Sequence, residues 1–219
     1  MRFTNQLWSE IEDIYSAILD HPFIDELAEG SLDEQIFLFY MKQDAHYLAD
    51  FSRALAIAGA KSADNDTFKT FLDFSKEAIV VERALHETFF QDYEVKLNVE
   101  KSPSCFSYTN FLMKTAYHSP FPQIAGGLLP CFWIYQEVGN YIVEKASSPN
   151  PYQKWIDTYS GEEFQEGVKK ALEIVDDIAE KQPDDVLSDI TDKFVYAARL
   201  EWMFWDSAYR MEQWQPVTE

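Results

Sequence analysis

Glycine is scarce in this chain of 219 residues, which has 7 of them, 9 prolines and 2 cysteines. An all-β fold needs a turn every few residues, and so few turn-formers argue against one. Two thiols, Cys105 and Cys131, cannot build a disulfide framework. The opening Met1-Arg2-Phe3-Thr4-Asn5-Gln6-Leu7-Trp8 has no apolar signal core. The expectation is a cytoplasmic protein with reduced thiols. No apolar run approaches the roughly 20 residues of a membrane span, and no glycine-rich phosphate loop is present. Basic residues are also short: 18 Lys and Arg stand against 38 Asp and Glu, a formal charge of -20. Nucleic acid and anionic membrane, which need basic surface, are therefore not expected partners. A cationic small ligand suits that charge, and so does solubility alone.

What is abundant is apolar and aromatic surface. Hydrophobic residues make up 47% of the chain, with 6 Trp, 12 Tyr and 17 Phe, enough for a packed core with rings to spare for a flat pocket. The periodicity is helical almost throughout. Helices are expected from Asn5 to Leu19, Pro22 to Ala28, Leu32 to Ala58, Asn65 or Asp66 to about Tyr93, and Ser104 to Tyr117. Further helices are expected from Gln123 or Pro130 to Ala146, Tyr152 to Thr158, Gly161 to Lys181, and Asp185 to about Trp214. Ser31 with Glu34 reads as a capping box, and Ser104 and Ser160 read as caps. The breaks are a few residues long and no repeat or linker interrupts them. The chain reads as one all-α domain, residues 1–219, a single helical bundle.

Metal and nucleophile chemistry are weighed against this pattern. A di-iron bundle repeats Glu-x-x-His on two helices. Here Glu82 and His86 are four apart without a second copy, and Asp44 and His46 supply one carboxylate beside one histidine. No metal and no cofactor are expected. Cys131 lies in Leu129-Pro130-Cys131-Phe132-Trp133-Ile134-Tyr135. If Pro130 opens a helix, Cys131 sits at its positive end, where thiolate is favoured; as a small core residue it would be inert. Two carboxylates fall on otherwise apolar faces. Asp44 shares a face with Phe37, Tyr40, Met41, Tyr47 and Leu48, and Glu201 lies among Leu200, Phe204 and Trp205. A charge on such a face is costly unless it is paired, so two of them point to a polar pocket inside the bundle. Cys105, at an apolar helix start, reads as core.

Taken in order, several segments resemble the TenA or thiaminase II family. They are Asp20-His21-Pro22-Phe23, Leu27 to Leu32, Phe39-Tyr40-Met41-Lys42-Gln43-Asp44 with Tyr47-Leu48, Ser107-Tyr108-Thr109, Leu129 to Tyr135, Trp155 to Tyr159, and Glu201 to Trp205. The resemblance covers nearly the whole chain. It implies an all-α bundle of the haem-oxygenase-like type without haem, assembled as a homotetramer. It also implies hydrolysis of 4-amino-5-aminomethyl-2-methylpyrimidine, and of thiamin, to 4-amino-5-hydroxymethyl-2-methylpyrimidine in thiamin salvage. In this reading Cys131 is the nucleophile and the chain resembles the cysteine-containing branch. Asp44 binds the ring nitrogen and amino group, and Glu201 is the acid serving ring and leaving group. Tyr108, Tyr135 and Tyr159 surround the ligand and the acid, while Tyr47 and Phe204 wall the pocket. The resemblance requires Cys131, Asp44 and Glu201 to meet in one enclosed hollow sized for one heterocycle. The alternative is a non-catalytic pyrimidine-binding or regulatory protein on the same fold, which would need no thiol.

Overall fold

Proline and capping side chains place several of the helix starts in the computed structural model, which describes residues 2–85 and 99–216, 82–85 by their backbone alone. Ten α-helices order these residues: α1 (Phe3–Ser9), α2 (Glu12–Leu19), α3 (Pro22–Glu29), α4 (Glu34–Lys61), α5 (Asn65–Leu85), α6 (Pro103–His118), α7 (Phe121–Lys145), α8 (Gln153–Ser160), α9 (Glu162–Ala179) and α10 (Asp184–Tyr209). No strand occurs among the described residues. The expected end of α5 near Tyr93, and His86 with it, lie outside them.

His21 caps α3, its Nδ1 accepting the Phe23 N–H at 3.1 Å, with Pro22 at the first helical position. Gly30 closes α3 at φ 74°, a left-handed conformation that glycine adopts without penalty. Other boundaries differ from the pattern. The single expected helix from Asn5 to Leu19 is two, because Ile11 leaves helical geometry at φ -117°, ψ 6°. The direction of α1 is set instead by α9, since Asp176 accepts from Thr4 N at 2.9 Å and from Thr4 Oγ1 at 3.0 Å. Ser31 does not cap α4; its hydroxyl turns back to Glu29 Oε2. The cap of α6 is Ser102, accepting the Cys105 N–H at 3.2 Å ahead of Pro103. Ser160 ends α8 and donates to the Ile156 carbonyl, and Gly161 stands at the start of α9 without a side-chain cap bond.

The chain forms two compact units, Met1–Asp33 with Pro122–Trp202, and Glu34–Phe121 with Met203–Glu219. In the first, Leu7, Ile18, Phe23, Trp155, Val168 and Phe194 are fully buried. Gly126 lets α7 approach α10 closely: a Cβ there would lie 2.6 Å from Ile190 Cγ2 and 3.0 Å from its carbonyl oxygen. In the second unit the buried residues include Phe37, Tyr40, Phe51, Leu55 and Tyr108. Phe71 of α5 packs edge-on against Phe74 and Phe121. No helix of the described residues is long and apolar enough to cross a membrane.

Candidate active site

In the first unit α7 carries Cys131 and Tyr135 one turn apart on the same face. Pro130 lies well inside α7 and does not open it. This overturns the expectation that Cys131 sits at a helix start: the N-terminal field fades within the first turn, and Cys131 is beyond it. Proline has no N–H to give the Gly126 carbonyl four residues back, so α7 lacks one rung immediately before the thiol. Cys131 is half-buried, and neither cysteine is in a disulfide.

Tyr159 comes from α8. Its ring centroid lies 4.9 Å from that of Tyr135 and 4.7 Å from that of Trp155. This closeness depends on Gly139, one turn beyond Tyr135: a Cβ there would stand 2.8 Å from the Tyr159 carbonyl oxygen. Glu201, on α10, is 1% exposed. Its neighbour Trp202 donates its indole N–H to the Ala17 carbonyl at 3.2 Å and lies edge-on to His21 at 5.8 Å. Both contacts belong to the first unit and fix the chain beside Glu201.

The second unit holds Asp44 and Tyr47 on α4, Tyr108 on α6 and Phe204 on α10. The Tyr47 ring is the centre of a cluster, with Tyr108 at 4.8 Å, Phe204 at 5.6 Å and Phe51 stacked at 5.5 Å. Tyr40 meets Phe204 edge-on at 5.9 Å. Asp44 shares the helix face of Tyr40 and Tyr47 by three-and-four spacing and is 2% exposed. Its Oδ2 meets no hydrogen-bond donor among the described residues. Burial pushes the Asp44 carboxyl from its ordinary 3.8 up to about 7, because charge is disfavoured where water is excluded. Burial thus favours the protonated form of this carboxyl, and no donor among the described residues serves its Oδ2.

Cys105 is core, as expected. It is fully buried, and its thiol is pushed up to about 12 by desolvation, so it is inert as a nucleophile. No group of three or more His, Cys, Asp or Glu suited to a metal ion occurs among the described residues. Two residues go beyond those expected at the site. Tyr40 belongs to the ring cluster, and its position four residues before Asp44 is the signal for it. Gln43 is buried and bonded at both ends of its side chain, which no spacing in the sequence announces.

The family model described as TENA/THI-4/PQQC matches residues 8–211. An aminopyrimidine aminohydrolase of Bacillus subtilis (strain 168) is 30% identical over 218 residues, covering 98% of this chain and 92% of that protein. Among solved structures, a TenA homologue from Pyrococcus furiosus superposes with a TM-score of 0.90 at 26% identity, covering 94% of this chain and 99% of the other. A domain of unknown function with a haem-oxygenase-like fold from Shewanella denitrificans superposes at 0.78 with 12% identity, covering 95% and 92%. The last likeness bears on architecture alone, and it agrees with the all-α, haem-oxygenase-like bundle. The chain is therefore a member of the TENA/THI-4/PQQC family.

Proposed function

We propose that the chain is an aminopyrimidine aminohydrolase: a hydrolase of C–N bonds that converts 4-amino-5-aminomethyl-2-methylpyrimidine, and thiamin, to 4-amino-5-hydroxymethyl-2-methylpyrimidine in thiamin salvage. The observation that carries this reading is Asp44, a buried carboxyl on an aromatic helix face, with one oxygen that no donor of the described chain serves. An aminopyrimidine offers a flat ring to stack on Tyr47 and Phe204, and an exocyclic amine to donate to that oxygen. Ring stacking contributes roughly 0.5–1.5 kcal/mol per pair beyond burial, so it orients the substrate, while the carboxyl selects the amino group.

The chemistry follows from the residue types. Glu201 protonates a ring nitrogen and makes the adjacent ring carbon electrophilic. The Cys131 thiolate adds to that carbon, and the electron pair gathered in the ring expels ammonia from the methylene, or the thiazole in the case of thiamin. Water adds to the exocyclic methylene as hydroxide, its proton passing to solvent or to the released amine. The sulfur then leaves the ring carbon with its bonding pair, the ring nitrogen returns its proton to Glu201, and aromaticity and both catalytic groups are restored. Substrate and water in, alcohol and amine out, balances. Covalent catalysis of this kind divides one hard displacement into easier additions and eliminations. Tyr108, Tyr135 and Tyr159 hydrogen-bond around the ring and the acid. The protein works as a cytoplasmic homotetramer in this reading.

The test is ammonia release from the aminomethylpyrimidine by the purified chain and by Cys131→Ser. The serine variant binds substrate with little change, and its turnover drops by about three orders of magnitude or more, as for removal of other covalent nucleophiles. Near wild-type ammonia release by Cys131→Ser would remove the covalent step. No release by the wild-type chain would leave the binding-protein alternative.

A further inference from the structure

Segment 99–102 is bonded to one stripe of α4. Gln43, 1% exposed, uses both ends of its carboxamide: Oε1 accepts the Ser102 N–H at 2.8 Å, and Nε2 donates to the Glu100 carbonyl at 3.2 Å. One turn on, His46 Nε2 lies 2.6 Å from the Val99 carbonyl, so that nitrogen carries the proton. A further turn on, Asp50 pairs with Lys101 Nζ, which also donates to Thr109 Oγ1 on α6 at 3.1 Å. The spacing 43, 46, 50 is one face of a helix. Asp44, Tyr47 and Phe51 occupy the adjacent face.

The same segment is gripped from elsewhere in the second unit. Trp214 Nε1 donates to the Lys101 carbonyl at 2.8 Å, and just beyond the segment, on the first turn of α6, Ser104 N–H donates to Glu212 Oε2 at 2.9 Å. Cys105 Sγ donates to the Gln43 carbonyl at 3.5 Å. Segment 99–102 is thus a hub. It joins α4, which carries Asp44 and Tyr47, to α6, which carries Tyr108, and to the residues that follow α10, whose last turns carry Phe204. Ring packing alone is non-directional and tolerates a small rotation of α4. A row of hydrogen bonds to a fixed backbone does not, because such bonds weaken steeply off axis.

We propose that Gln43 is a positioning residue: by clasping segment 99–102 it fixes the rotation of α4 about its axis and holds the Asp44 carboxyl square to the substrate ring. The proposal rests on the aminohydrolase reading for its kinetic consequence, though not for its mechanical one. Tyr40 and Tyr47 stand one turn either side of Asp44 on α4, and the Cys105 thiol on α6 senses the charges of Lys101, Asp44 and Asp50. Burial is the cause of the displaced Asp44 titration, so a loosened α4 that admits water moves that titration back toward an ordinary carboxylate.

Gln43→Met keeps the side-chain length and removes both carboxamide bonds. For the aminomethylpyrimidine, KM rises about tenfold while kcat changes much less, the signature of lost ground-state orientation. A second readout needs no substrate. The difference in melting temperature between the chain and its Asp44→Asn variant, followed against pH, reports the Asp44 titration; in the Gln43→Met background its midpoint moves down by about one pH unit. A lower melting temperature with both KM and midpoint unmoved would mean a merely structural role and would overturn the proposal. Should Gln43→Met fail to fold, Lys101→Met decides on the same two readouts: shifts in the same direction support the clasp and unmoved values sink it. If the wild-type chain releases no ammonia, the aminohydrolase reading falls by itself, and the midpoint alone judges the clasp.

Discussion

Asp44 is the residue with the most to say about stability and function together. Its carboxyl ionises near 7 in the folded chain against 3.8 ordinarily, so the fold binds this proton more tightly than the unfolded chain does. The sign follows from linkage: the contribution is fully present below about pH 4, is lost progressively as pH rises through 7, and amounts to something on the order of 4 kcal/mol. An asparagine at this position cannot ionise and keeps the shape. Asp44→Asn is therefore expected to melt close to the parent at pH 4–5 and clearly above it at pH 8, while its aminohydrolase turnover collapses. Thermal melts at a series of pH values check this; a difference that does not grow with pH would show that the carboxyl is not ionising in a dry setting. This position was legible in the sequence because an acid at three-and-four spacing from aromatics is conspicuous. The inertness of Cys105 was legible too, from its place at an apolar helix start. The setting of Cys131 was not, because a proline reads as a helix start when glycines precede it, and only tertiary packing carries α7 through Pro130.

At the scale of elements, the helices were legible from periodicity, and their ends less so. Serines that look like caps are cheap to misplace by a few residues: Ser102, not Ser104, accepts the bond that starts α6. Long-range bonds decided other boundaries, as Asp176 does for α1. What no periodicity reveals is the spacing between helices, and Gly139 sets one that bears on the site. A methyl there would sit 2.8 Å from the Tyr159 carbonyl oxygen and 2.9 Å from its carbonyl carbon; these are backbone atoms that yield only if α8 moves. Gly139→Ala gains up to about 1 kcal/mol of helix propensity but forces overpacking that costs typically about 1–3 kcal/mol. The variant is expected to melt a few degrees lower. It should also lose activity out of proportion to that change, because Tyr159 is carried away from Tyr135. Melting temperature and kcat measured on the same preparation check this. A fully active Gly139→Ala would show that the register of α8 against α7 does not matter to catalysis.

The whole molecule carries a formal charge of -20, and that charge acts in two directions at once. Like charges repel one another and weaken the compact state, while the same field gathers cations. Thiamin is a cation, and the aminomethylpyrimidine carries a protonated amine near neutral pH, so the proposed substrates are drawn toward the protein and the neutral hydroxymethyl product is not. Salt screens both effects, since the Debye length falls to about 10 Å at 0.1 M. Raising sodium chloride from about 20 to about 200 mM, which shortens that length roughly threefold, is therefore expected to raise the melting temperature by a few degrees while lowering kcat/KM for the cationic substrates several-fold. The inhibition constant of the neutral hydroxymethylpyrimidine should stay where it was, and it is this contrast that isolates the field from any specific effect of salt on the fold. A kcat/KM that ignores salt while the melting temperature climbs would mean that the acidic surface serves solubility alone. Equal salt sensitivity of cation and neutral product would instead trace the change to the protein's conformation rather than to attraction.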